Sequence, residues 1–355
     1  MKAGIINVTG YAGSELARIL YRHPEVEITS VTGRSAAGQK LGEVFPHLSA
    51  LNLNITEELT GDVDVVFSAL PHKASAEAVI PLLTQGTRVI DISADFRLKQ
   101  ADQYAEWYGV QHPDPSYLED AVYGIPELHE KEISRAQLVA NPGCYPTSAI
   151  LAMAPAVKLG LIEPDIIIDS KSGVSGAGRG LSMNTHYSEV NENTMAYSLS
   201  GHRHLPEITQ ELSLLTEQTL ELTFLTHLVP MTRGILSSCY SKLKAQATDT
   251  ASTSVSHVRE VYEEFYKAHP FVVITDTPPQ TKQALGNNQC LIYPTIDPRT
   301  NRLIVISCID NLVKGAAGQA VQNMNLMYQL PEETALESVG GVPIVVVKFV
   351  SAPVV

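Results

Sequence analysis

Asn7-Val8-Thr9-Gly10-Tyr11-Ala12-Gly13 stands between an apolar run at residues 3–8 and a helix-patterned stretch at residues 14–20. A buried strand, a glycine turn and a helix, in that order, place free backbone N–H groups and the positive end of the helix dipole where an anion can sit. In this reading Thr9, Gly10, Tyr11 and Ala12 shape the turn for a dinucleotide phosphate. Gly10 lets the backbone approach its oxygens, and Gly13 lets helix and strand pack closely. Asn7 stands where glycine is usual, and asparagine tolerates a left-handed backbone better than most other side chains. Such glycine pairs also occur in plain structural turns, so the segment alone leaves both readings open.

Outward from the turn, short β-like runs at residues 26–32, 63–69 and 87–92 alternate with helical stretches at 14–23 and 75–85. That alternation predicts a parallel sheet with helices on both faces. The second run leads into Gly33-Arg34-Ser35. An acidic residue there would hold the ribose 2′-hydroxyl of NAD, whereas Arg34 beside the Ser35 hydroxyl suits a 2′-phosphate, so the expected cofactor is NADP(H). A solvated loop arginine is the plain alternative. From about residue 165 the pattern changes to β-branched runs at 166–170, 220–228, 235–243 and 302–309, with helices at 206–215 and 256–268. These suit an α+β domain with a largely antiparallel sheet. Residues 314–328 resume a helical pattern behind Gly315-Ala316-Ala317-Gly318 and are expected to return to the first domain, with Lys314 reading as a surface cation.

The chain is thus read as α/β: a Rossmann-type NADP-binding domain over residues 1–145 and 314–355, and an α+β domain over 146–313. Its 355 residues, 44% of them apolar, suffice for two cores. A net charge of −13 opposes nucleic acid as a partner, since phosphate backbones are held by clustered Lys and Arg. No apolar segment reaches the roughly 20 residues of a membrane helix, and residues 342–355 read as a strand or packed tail. No leader pattern opens the chain, which is expected in the cytoplasm. Cys144, Cys239, Cys290 and Cys308 lie far apart, with neither disulfide nor metal-ligand spacing. The last three sit in apolar strand-like sequence and read as packed thiols.

Cys144 differs. A strand at residues 137–140 runs into Asn141-Pro142-Gly143-Cys144-Tyr145-Pro146-Thr147, a turn that opens a helix. A thiol at a helix N-terminus is expected to have a lowered pKa. Local sequence alone leaves a buried packing cysteine open as well.

Residues 141–147, together with Ser172-Gly173-Val174-Ser175-Gly176-Ala177-Gly178-Arg179 and His202-Arg203-His204-Leu205-Pro206-Glu207-Ile208, resemble three signatures of the N-acetyl-γ-glutamyl-phosphate reductase family. Ser93-Ala94-Asp95-Phe96-Arg97 and Lys314-Gly315-Ala316-Ala317-Gly318-Gln319 resemble two more. The five segments and the N-terminal turn occur in family order. The resemblance implies the fold of aspartate-semialdehyde and glyceraldehyde-phosphate dehydrogenases. It also implies a reversible step of arginine biosynthesis, in which N-acetylglutamyl 5-phosphate is reduced by NADPH to the 5-semialdehyde and phosphate. Cys144 would be the nucleophile, held as a thioester. A homo-oligomer, tetramer or dimer, built through the second domain is implied too, with a small-molecule substrate.

Breakdown of the thiohemiacetal needs a group that trades a proton near neutral pH, and His202 and His204 are the candidates. His204 precedes a helix start, which favours neutral imidazole; His202 stays open as base or substrate contact. Arg97, Arg179 and Arg203 are the arginines inside the family segments and, with Ser172 and Gly173, are expected to bind the substrate's anionic and amide groups. Arg233 is a further cation for which a structural salt bridge is equally apt. Ser175, Gly176 and Gly315 are expected to approach the cofactor. Two rivals remain: the same chemistry on a carrier-protein-linked acyl phosphate, and a non-catalytic NADP-responsive binding protein.

Overall fold

The computed structural model describes residues 1–244 and 254–338. The apolar run at the N-terminus forms strand β1 (Lys2–Ile6), with Ala3 and Ile5 fully buried. Six strands follow it into one sheet: β2 (Glu27–Thr32), β3 (Ile55–Thr56), β4 (Val65–Ser68), β5 (Arg88–Asp91), β6 (Val122–Tyr123) and β7 (Leu138–Ala140). Their order is β3-β2-β1-β4-β5-β7-β6, and every pairing is parallel. The chain winds outward from β1 to β3 and then crosses to β4 on the other side. Ligands of open parallel sheets bind beyond the strand ends at such a reversal. Asn7 Nδ2 spans it, donating to the carbonyl of Ala69 at 2.8 Å.

A second seven-stranded sheet is built from β8 (Ile162–Gly173), β9 (Met195–Tyr197), β10 (Glu221–Val229), β11 (Ile235–Leu243), β12 (Val272–Ile274), β13 (Cys290–Asp297) and β14 (Arg302–Ile309). Its order is β12-β13-β14-β11-β8-β10-β9. The run β13-β14-β11-β8 is antiparallel, as the patterning predicts, while β8 and β10 pair in parallel. Helices Cys144–Lys158, Leu205–Ser213 and Val255–Tyr266 share its hydrophobic core through Ile150, Ile208 and Tyr262. Under the first helix, the buried hydroxyls of Ser148, Ser170, Ser237 and Ser307 are joined at 2.5–2.9 Å. Satisfied in this way, they fix the register of that helix on the sheet.

The late helix Gly318–Met327 packs into the core of the first sheet, where Val321 and Met324 join Ile5, Leu16 and Ile90. A π-turn, Val313–Ala317, leads into it. Lys314 in that turn corrects the expectation of a surface cation. It is fully buried, and its Nζ donates to Glu127 Oε1 at 2.7 Å and to Gln322 Oε1 at 2.8 Å. A buried ammonium needs such partners, and this one has a carboxylate 187 residues away in sequence. The tail expected at residues 342–355 lies outside the described residues. Among the described residues no helix is long and apolar enough to cross a membrane.

Candidate active site

The N-terminal turn has the geometry its residues require. Asn7 adopts φ +65°, the left-handed region, and its N–H donates to Thr32 Oγ1 at 3.2 Å. A Cβ on Gly13 would stand 2.3 Å from the Asn7 carbonyl oxygen and 2.8 Å from Val8 Cα. Only glycine therefore lets the helix Tyr11–Leu20 begin against the strand. At Gly10 the nearest atom would be 3.4 Å away, so the fold itself does not demand glycine there. Thr9, Gly10, Tyr11 and Ala12 line one end of a cleft of about 1140 Å³. Open helix-start amides facing that volume fit a dinucleotide phosphate. Ser35 lines the cleft, whereas Arg34 is exposed and stands outside its lining.

Cys144 is the first residue of its helix and is partly exposed to the same cleft. The expectation of a lowered pKa is overturned here. Burial pushes the Cys144 thiol up to about 11, outweighing the opposite pull of Arg97 and of the Tyr145 backbone. Gly315 closes on it from the π-turn: a Cβ at 315 would be 2.8 Å from Cys144 Cβ. Gly315 thus lines the cleft by packing against the thiol residue itself.

His204 approaches from the other side. A Cβ on Gly143 would lie 2.6 Å from His204 Nε2, so glycine before the cysteine is what admits the imidazole. Burial, reinforced by His202 and Arg97, holds the His204 pKa well below the usual range, leaving it neutral. Its buried Nδ1 has no hydrogen-bond partner. His202 Nδ1 accepts the His204 N–H at 3.1 Å, and its ring packs edge-on to Tyr145, Tyr197 and Phe224. Burial and Arg203 pull its pKa down to about 4. Their surroundings differ: His204 Nε2 abuts Gly143, the residue before Cys144, whereas the His202 ring packs among Tyr145, Tyr197 and Phe224.

Glu207 is the residue that sequence reasoning missed. Fully buried, it accepts from Arg97 Nη1 at 3.1 Å, Tyr123 Oη at 2.9 Å and the Gly143 N–H at 3.2 Å, and lies 3.8 Å from His204 Nε2. Its signal was there, an acidic residue in the first turn of a helix opened by His204-Leu205-Pro206. Arg97, expected to bind substrate, lines the cleft but is nearly buried, and besides Glu207 it donates to the carbonyls of Asn141 at 2.8 Å and Ile92 at 2.7 Å.

The remaining candidates divide by position. Arg179 donates to the Thr9 carbonyl at 3.0 Å and lies over the Phe45 ring, at the end of the cleft lined by the glycine turn. Arg233 bridges Glu15 and Asp310, each at 3.0 Å, and is structural. Arg203 is exposed, lines the cleft and contacts His72 Nε2. Gly173, also expected to bind substrate, does not line the cleft; its Cβ position lies 2.8 Å from the Thr232–Arg233 backbone, so it serves close packing. Ser172, Ser175 and Gly176 do line it, and Ser175 Oγ accepts from Asn311 Nδ2 at 2.9 Å. Cys239, Cys290 and Cys308 are buried, and burial raises each thiol's pKa. Among the described residues no group of His, Cys, Asp or Glu is assembled to hold a metal ion.

Comparison with known proteins agrees across nearly the whole chain. Residues 2–136 match the family described as semialdehyde dehydrogenase, NAD binding domain, and residues 144–311 match semialdehyde dehydrogenase, dimerisation domain. The chain is 59% identical over 343 residues to an N-acetyl-gamma-glutamyl-phosphate reductase of Dehalococcoides mccartyi, covering 96% of this chain and 99% of that one. It is 50% identical over 351 residues to the protein of the same name from Pelotomaculum thermopropionicum, covering 97% and 99%. Among solved structures, aspartate semialdehyde dehydrogenase from Candida albicans with NADP superposes with a TM-score of 0.70 at 16% identity, covering 92% of this chain and 98% of that one. Aspartate semialdehyde dehydrogenase II from Vibrio cholerae gives 0.67 at 17%, with coverage of 92% and 98%. At such identities the likeness establishes the fold.

Proposed function

The chain belongs to the semialdehyde dehydrogenases and, among them, to the N-acetyl-γ-glutamyl-phosphate reductases; from that membership we propose that it reduces N-acetylglutamyl 5-phosphate to the 5-semialdehyde in arginine biosynthesis, through a thioester on Cys144. The observation that carries this reading is that Cys144 and the neutral imidazole of His204 line one cleft, with the imidazole set against Gly143, the residue before the thiol.

A thiol whose pKa is pushed up to about 11 is not a standing nucleophile at neutral pH. His204 Nε2 takes the Sγ proton as the sulfur attacks the acyl carbon; the bond from that carbon to the phosphate oxygen breaks, and the departing phosphate carries the proton away. A reduced nicotinamide, when bound beside Gly315, would supply the hydride for the thioester carbonyl. The tetrahedral oxyanion left by hydride addition would then collapse: the carbonyl forms, the C–S bond breaks, and His204 relays a solvent proton to the released thiolate. Glu207, tied to Arg97, Tyr123 and the Gly143 amide, holds the two reacting side chains in register. Thr9 to Ala12 would hold the cofactor phosphates and Gly315 its nicotinamide end. The exposed Arg34 with Ser35 at the end of β2 favours NADP over NAD.

We read residues 1–145 with 314–355 as the cofactor domain and 146–313 as the substrate domain, assembled as a homo-oligomer in the cytoplasm. The test is phosphate-dependent reduction of NADP+ with N-acetylglutamate semialdehyde, run on the parent and on Cys144→Ser. Turnover in the parent, lost in the variant while cofactor binding persists, is the expected result. Undiminished turnover in Cys144→Ser overturns the thioester route.

A further inference from the structure

Resting on that reading, we infer that Arg203, clasped to His72 in the ligand-free cleft, is the seat of the substrate's carboxylate, the anion that takes no part in bond making. Of the other arginines weighed for this role, two are spent on carboxylates and the third stands beside the glycine turn. Arg97 is held by Glu207 and two carbonyls, Arg233 by Glu15 and Asp310, and Arg179 by Thr9 and Phe45 at the opposite end of the cleft. Arg203 pairs with no carboxylate among the described residues, although it lines the cleft beside both motif histidines. Its charge is felt at His72, His202 and His204 alike, lowering the pKa of each.

The partner it does have is a weak one. Arginine only donates, so the His72 ring nitrogen it touches offers a lone pair. Burial and Arg203 bring the His72 pKa down to about 4, so the imidazole is neutral at working pH. Both groups rest against Tyr108, with the guanidinium 5.9 Å and the imidazole 5.7 Å from its ring centre. A carboxylate accepts two parallel, charge-assisted bonds from a guanidinium, roughly twice as strong as neutral ones, and so displaces imidazole. His72 follows β4 of the first sheet and Arg203 precedes the helix Leu205–Ser213 of the second unit. The exchange therefore takes place where the two walls of the cleft meet.

The experiment compares kcat/KM for N-acetylglutamate semialdehyde with that for 4-acetamidobutanal, which carries hydrogen in place of the carboxylate. The parent is expected to prefer the former by about 1000-fold or more, as sites built for a polar group do. Arg203→Met should lose about 100-fold or more on the carboxylate substrate and about tenfold or less on the analogue. Arg203→Lys, keeping the charge without the fork, should fall between. His72→Leu removes the competing partner and should lower KM for the carboxylate substrate severalfold. The inference is overturned by a preference that survives in Arg203→Met, by equal losses on both aldehydes, or by a raised KM in His72→Leu. A parent that turns over neither aldehyde instead refutes the functional reading on which the inference rests.

Discussion

At the scale of single residues, Cys144 sets two effects against each other. A helix N-terminus stabilises a nearby anion by about 0.3–1 kcal/mol at exposed sites, whereas burial of a charged group can move a pKa by several units. Burial wins, and the thiol rises to about 11. The ligand-free enzyme should then hold only about one part in a thousand of Cys144 as thiolate at pH 8. Its rate of alkylation by iodoacetamide should keep climbing from pH 7 to pH 10; a plateau below pH 8 would contradict the assignment. The two histidines should behave differently as well. His204→Asn should cut kcat by about 100-fold or more and leave a residual rate that climbs with pH as the unassisted thiol ionises. His202→Asn, whose ring packs among Tyr145, Tyr197 and Phe224, should act chiefly on KM. Equal losses in kcat would return the choice of base to the open state in which spacing left it.

At the scale of elements, long periodic runs were legible: the runs at residues 235–243 and 302–309 are strands β11 and β14 residue for residue. The short β3, β6 and β12, two or three residues each, carry too little period to be read and exist because neighbours pair with them. Site residues inside quoted segments were legible by type but not by task. Arg97 and Glu207 look equally available in a string of letters, and only their ion pair at 3.1 Å reveals that each occupies the other. His72 lay outside every segment. The glycine turn permits a direct test: Gly13→Ala would drive a methyl into the Asn7 carbonyl, costing about 1–3 kcal/mol and weakening cofactor binding. Unchanged stability in urea together with unchanged affinity would refute that packing. Asp91, at the end of β5, gives a pH test. Fully buried among Ser75 and Ser93, it has its pKa raised to about 6 by burial and by Asp95. The folded state thus keeps a proton that the unfolded chain has lost, so its contribution to stability is present below the unfolded value of 3.8 and disappears as pH rises through 6. Unfolding free energy should fall by about 2 kcal/mol more between pH 4 and pH 7 in the parent than in Asp91→Asn. Parallel curves for the two proteins would be inconsistent with it.

At the scale of the whole molecule, Arg233 joins the helix beside the cofactor turn, through Glu15, to Asp310 after β14. Arg233→Met should lower stability by about 3 kcal/mol, the lower end for breaking a buried pair, and should loosen cofactor binding by displacing that helix. Guanidinium unfolding and cofactor titration measure the two effects, and stability within experimental error of the parent would rule the bridge out as a determinant. The late helix Gly318–Met327 has a consequence of another kind. It seals Ile5, Leu16 and Ile90 under the first sheet, and Lys314 just before it supplies the charge that Glu127 lacks until then. During synthesis the first half of the chain leaves the ribosome with one wall missing, and it must wait, sticky and unpaired, while the second sheet is made. Maturation is thus gated by residues 313–327, and a chain halted before residue 313 should be claimed by chaperones or aggregate.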